Sequence, residues 1–63
     1  MTPTQIKIEL LKRKTSQSEI AELIFKSRQM VSMVINGKAR SRKIEIAIAA
    51  SINKDVEKVF PIT

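Results

Sequence analysis

Arg28, Gln29, Ser32 and Met33 fall within one six-residue stretch, and their types suit the reading of base-pair edges. An arginine pairs bidentately with guanine O6 and N7, and a glutamine does the same with adenine N6 and N7. A serine hydroxyl one turn further reaches a base or a phosphate, and a methionine packs on a thymine methyl. Met33 serves equally well as a flexible filler at the edge of a core, and Met30 reads as packing. Ser27, Asn36, Lys38, Arg40 and Lys43 offer hydroxyl, amide and cationic donors on either side. They are expected to hold phosphates, which position a module on a duplex without reading its sequence. Ser27 also suits a plain N-cap, and a helix start can do both. Other chemistry is poorly supplied. There is no His, Cys or Tyr, and Gly37 is the only glycine. A histidine base, a zinc set and a glycine-rich phosphate loop are therefore all missing. Glu19 and Glu22 share a helix side, yet two solvated carboxylates at that spacing are ordinary surface. No catalysis, metal, cofactor or small-molecule ligand is expected.

The elements that must position these side chains are helices. Ser16 and Glu19 have the spacing of a capping box, so a helix should begin at Gln17. Ile20, Ala21 and Ile24 form its inward stripe, with Ser18, Glu19 and Glu22 outward. Ser27 caps the next helix, about residues 27–36. There Val31, Val34 and Ile35 face inward while Arg28, Gln29, Ser32, Met33 and Asn36 lie on or near the opposite face. Only residues 25–27 separate the two, so their stripes must meet at a steep angle, as in a helix-turn-helix. The outward face of the second is then free to enter a major groove.

Residues 16–37 resemble the helix-turn-helix of the phage lambda repressor and Cro superfamily. Gln17 opens the first helix, Ala21 is the small residue at the crossing, Val31 and Val34 are the buried positions of the recognition helix, and Asn36-Gly37 matches the common ending. The resemblance extends over roughly residues 6–61. A fourth helix rich in small residues, a polar corner and a short helix ending in Phe60-Pro61 are similar to the small Ner-like phage regulators. It implies that Gln17 holds a backbone phosphate and braces the reading residues. Phe25 departs from the family, which usually has Gly at this turn position, where left-handed backbone is needed. Either the turn differs or the strain is tolerated.

The remaining chain frames this pair. Its 63 residues allow one domain with one small core. Without Cys or His, apolar helix packing or self-association must hold it together. Thr2, Pro3 and Gln5 make a good helix start, and the first helix should run to about Lys14. Ile6 and Leu10, with Leu11 alongside, face inward, Ile8 lies off the stripe, and Lys12, Arg13 and Lys14 meet the negative helix end, a reading sufficient by itself although the same trio could touch phosphate. Gly37, able to take positive φ, stops the third helix, and the loop then runs to Ser41, which can cap a fourth helix whose Ile44, Ala47, Ile48 and Ser51 share one face. Asn53 can take the left-handed position after it. Asp55 can cap a short helix over residues 56–60 that Pro61 ends. The expected architecture is all-α, five short helices.

Charge is concentrated. The formal net charge is +6, from 12 basic and 6 acidic residues. Lys26, Arg28, Lys38, Arg40, Arg42 and Lys43 lie between residues 23 and 44 with no acid among them. Such a region beside a reading helix suits a phosphate surface. The longest apolar run, residues 46–50, is far short of a membrane span, and no signal core follows Met1. A cytoplasmic protein of bacterial or phage origin is expected. The leading expectation is a sequence-specific regulator that occupies an operator in double-stranded DNA. The alternative is an antitoxin or adaptor that grips a protein through its C-terminal helices, although Pro61, Ile62 and Thr63 leave no long interaction tail. A basic amphipathic membrane binder is disfavoured, because the cations cluster around turns. Since one head reads few base pairs, a weak dimer or pairing on DNA is expected. Val56 and Val59 are candidates for that contact, and Phe60 is expected to close the core.

Overall fold

Four helices of this chain stop in the same way, and the stops fix where everything else lies. The computed structural model describes residues 1–61 and contains α1 (Pro3–Lys12), α2 (Gln17–Leu23), α3 (Arg28–Ile35), α4 (Arg42–Ser51) and α5 (Val56–Val59). After each of the first four comes a residue with positive φ: Lys14 at 52°, Phe25 at 56°, Gly37 at 76° and Asn53 at 55°. In each case the next N–H reaches back to a carbonyl five residues earlier: Thr15 to Leu10, Lys26 to Ala21, Lys38 to Met33 and Lys54 to Ala49. The positive-φ residue bonds the carbonyl three residues before it. This is the Schellman motif, which satisfies carbonyls that a helix end leaves free. A Cβ at Gly37 would meet nothing within 4 Å, so conformation alone favours glycine there. Phe25 adopts the left-handed turn itself, resolving the choice its sequence position left open.

The starts are equally local. Thr2 and Gln5 form a complete capping box. Ser16 Oγ accepts from the Glu19 N–H at 3.1 Å, and Ser27 Oγ from the Met30 N–H at 3.2 Å. Ser41 and Asp55 hold the N-cap positions of α4 and α5, but neither side chain makes the capping bond expected of it.

Between these ends the apolar faces close on one core. Ile6 and Leu10 come from α1, Ile20 and Ala21 from α2, and Val31, Val34 and Ile35 from α3. Ile44, Ile48 and Ala49 of α4 lie beneath them, with Ile52 and Val59 closing the far side. Each large aliphatic side chain so buried contributes about 1.5–3 kcal/mol relative to exposure. The Cα radius of gyration is 10.2 Å, close to the roughly 11 Å of a packed domain this size. Among the described residues there is no strand, and no helix is long and apolar enough to cross a membrane.

Several expectations are corrected. The first helix ends at Lys12 because Lys14 already belongs to the turn. Leu11 is 79% exposed, since a residue about 100° around from Leu10 leaves the narrow inward face. α2 ends at Leu23, which makes Ile24 a half-buried C-cap instead of part of the helical stripe. Val59, a candidate for pairing, is buried within the single chain and Val56 packs partly against the core, while Phe60 packs there as expected. The C-terminal surface proposed for pairing or for gripping a partner is thus largely used internally; Ile62 and Thr63 lie outside the described residues.

Candidate nucleic-acid interface

α3 has one face in the core and one in solvent. Val31, Val34 and Ile35 are buried, while Arg28 and Gln29 in its first turn are exposed, and Ser32 and Met33 are half-buried one turn on. Met30 is 37% exposed and so is not simply core packing. Ser27 precedes them as N-cap, its hydroxyl engaged with the Met30 N–H. The first turn of α3 therefore carries two exposed polar side chains, Arg28 and Gln29, directly after its N-cap.

Gln17 is brought to this place from α2. It lines a shallow groove of about 230 Å³ together with Arg28, Lys7 and Ser16. No hydrogen bond joins Gln17 to Arg28; the buried Gln17 Oε1 has no partner among the described residues. Lys7, which the sequence did not single out, enters because the α1 face beside Leu10 and Leu11 forms the groove wall. Its signal was weak: an ordinary solvated lysine on an amphipathic helix.

At the other end of α3 the candidates separate. Asn36 is the C-cap, and its Nδ2 donates to Ser32 O at 2.9 Å and to Ser32 Oγ at 3.3 Å. Its Oδ1 accepts from Lys7 Nζ at 3.2 Å. In the free protein the Asn36 amide is thus committed to the fold on both sides. Lys38 and Lys43 are exposed and have no ion pair among the described residues, as do Lys26 and Arg28. Arg40 and Arg42 differ. Arg40 Nε donates to Glu45 Oε2 at 2.7 Å, and Arg42 Nη1 to Glu45 Oε1 at 3.3 Å, with Glu45 only 1% exposed. The uninterrupted six-cation field read from the sequence is therefore four unpaired cations and a two-arginine, one-carboxylate cluster. Nothing in the local sequence around Glu45 signals that this carboxylate is buried.

The basic trio at the end of α1 is also partly neutralised. Arg13 Nη1 lies 2.6 Å and Lys12 Nζ 3.6 Å from the Glu9 carboxylate. The Arg13 hydrogen bond holds the Glu9 carboxyl below its ordinary pKa. Lys12 and Arg13 thus share one carboxylate in the last turns of α1.

Among the described residues no group of His, Cys, Asp and Glu could hold a metal ion. Comparison of the chain with protein-family models, curated proteins and solved structures returned no match.

Proposed function

We propose that this chain is a sequence-specific double-stranded DNA-binding regulator. In this reading α2 and α3 act as a helix-turn-helix and α3 enters the major groove. The observation that carries it is the first turn of α3: Arg28 and Gln29 stand exposed on a helix whose opposite face is buried. Their donor patterns match guanine and adenine edges, and Lys26 before α3, Lys38 after it and Lys43 in α4 are exposed cations with no ion pair among the described residues. The resemblance of residues 16–37 to the lambda repressor and Cro superfamily supports the same reading. So does Gln17 lying in one groove with Arg28.

The module acts by occupying an operator, without catalysis, metal or small-molecule ligand, in a bacterial or phage setting. Two heads, as a weak dimer or as monomers that pair on DNA, bind half-sites about 10 bp apart centre to centre. Because Val59 is buried in the single chain, this pairing does not use the full C-terminal apolar surface. Selection of bound sites from random duplex DNA tests the proposal. It predicts an enriched motif, with twofold symmetry if two heads bind. Recovery of unselected sequence with purely salt-dependent binding would reduce the protein to a nonspecific polycation.

A further inference from the structure

Glu45 is the one buried charged residue among the described residues, and the proposed function gives it no task. An ionised carboxylate is expensive to bury unless both oxygens are paired. Here both are, through Arg40 Nε and Arg42 Nη1. The two arginines are not equivalent. Arg42 Nη1 also donates to the Phe60 carbonyl at 3.4 Å, so this side chain ties α4 to the end of α5. Arg40 meets the carboxylate through Nε alone, its side chain is 59% exposed, and its terminal nitrogens have no partner among the described residues.

A guanidinium is a planar fork with five N–H donors. Anchoring Nε on a buried acceptor fixes the plane and leaves the outer pair of nitrogens as a preset double donor. That is the geometry which grips a phosphate through two parallel bonds. Arg40 stands in the loop after the α3 C-cap, two residues past Lys38, and lines the same hollow as Asn36 and Gly37. Preorganisation spares Arg40 the rotamer freedom that a loose arginine loses on binding.

We propose that Glu45 is a positioning residue for backbone recognition, holding Arg40 so that its outer edge takes a DNA phosphate; this rests on the DNA-binding reading above. A carboxylate that merely offset charge would have the opposite effect. Removing a negative charge near a DNA-binding face strengthens binding by simple electrostatics, whereas removing a positioning group weakens it.

The test compares wild type, Arg40→Ala, Arg40→Lys, Glu45→Gln and the Glu45→Gln/Arg40→Ala double variant on a selected duplex by fluorescence anisotropy. The ¹⁵Nε–¹Hε NMR signal of Arg40 is followed separately in the free protein. Arg40→Ala should weaken binding about tenfold, the scale of one charge-assisted contact, and Arg40→Lys nearly as much, because a point charge lacks the fork. Glu45→Gln should weaken binding despite the added positive charge, and the double variant should bind no worse than Arg40→Ala. The Arg40 signal should exchange slowly in wild type and be lost in Glu45→Gln. Binding of Glu45→Gln equal to or tighter than wild type, or an effect fully additive with Arg40→Ala, would overturn the proposal. So would wild-type affinity in Arg40→Lys, which leaves Glu45 paired with Arg42 and keeps the test open if Glu45→Gln fails to fold. Failure of the wild-type protein to bind any duplex would remove the DNA-binding reading and this proposal together. Wild-type binding with Glu45→Gln undiminished removes the positioning role alone.

Discussion

Lys7 donates from Nζ to Asn36 Oδ1 at 3.2 Å, joining the middle of α1 to the C-cap of α3. The same Asn36 holds Ser32 O through Nδ2 at 2.9 Å, so one exposed amide closes a helix end and fastens it to a neighbour. Asn36→Ala should therefore destabilise the fold by about 0.5–1.5 kcal/mol, the net worth of such bonds, seen as a lower urea midpoint. Lys7→Ala, which leaves the Ser32 bond intact, should cost clearly less. Equal losses in the two variants would show that the Lys7 contact carries the effect.

Arg28→Ala should cost about 1–3 kcal/mol on the preferred site and relax discrimination at one base pair. Arg28 is exposed in the first turn of α3 and has no ion pair among the described residues. Anisotropy titrations with selected and scrambled duplexes separate the outcomes. Equal weakening on both would move Arg28 from base reading to phosphate contact.

Lys38→Ala and Lys43→Ala should weaken selected and scrambled DNA alike, each lowering the slope of log K against log salt by about one unit. Both lysines are exposed and lie outside the carboxylate cluster. A titration series between low and moderate salt measures this slope directly, and an unchanged value would place that lysine off the duplex.

Phe25→Gly should stabilise the protein. Phe25 is 94% exposed, so its side chain contributes little burial, and its φ of 56° is left-handed. That conformation costs an L-residue about 1–2 kcal/mol, against roughly 0.4–1 kcal/mol of extra unfolded-chain freedom for glycine. The expected net gain is about 0.5–1 kcal/mol, or a Tm higher by about 3–6 °C. A lower Tm would mean that the phenyl ring packs in a way its exposure does not suggest.

What the sequence disclosed were features decided within a few residues. Ser16 and Ser27 as caps, Gly37 and Asn53 as left-handed stops, and the Val31, Val34, Ile35 face of α3 all follow from local spacing. Lys14 escaped notice because a lysine carries no turn signal, although its backbone does what Gly37 does. Glu45 was illegible for a different reason. An acid three residues after Arg42 reads as a surface pair. Its burial arises from how α4 sits against the loop and the end of α5, information that no local window holds. Val59 was misjudged likewise, since a four-residue helix has too little periodicity to show which side faces in.

The repeated helix stop bears on how quickly the chain finds its structure. Each of the first four helices carries its terminus in a segment of about six residues, so helix lengths are set before distant parts of the chain meet. What remains is docking of preset rods over short connections, a search dominated by contacts near in sequence. Helical domains of this kind fold in about microseconds to milliseconds. A newly made chain would thus expose its apolar stripes only briefly, which suits a fold with so small a core.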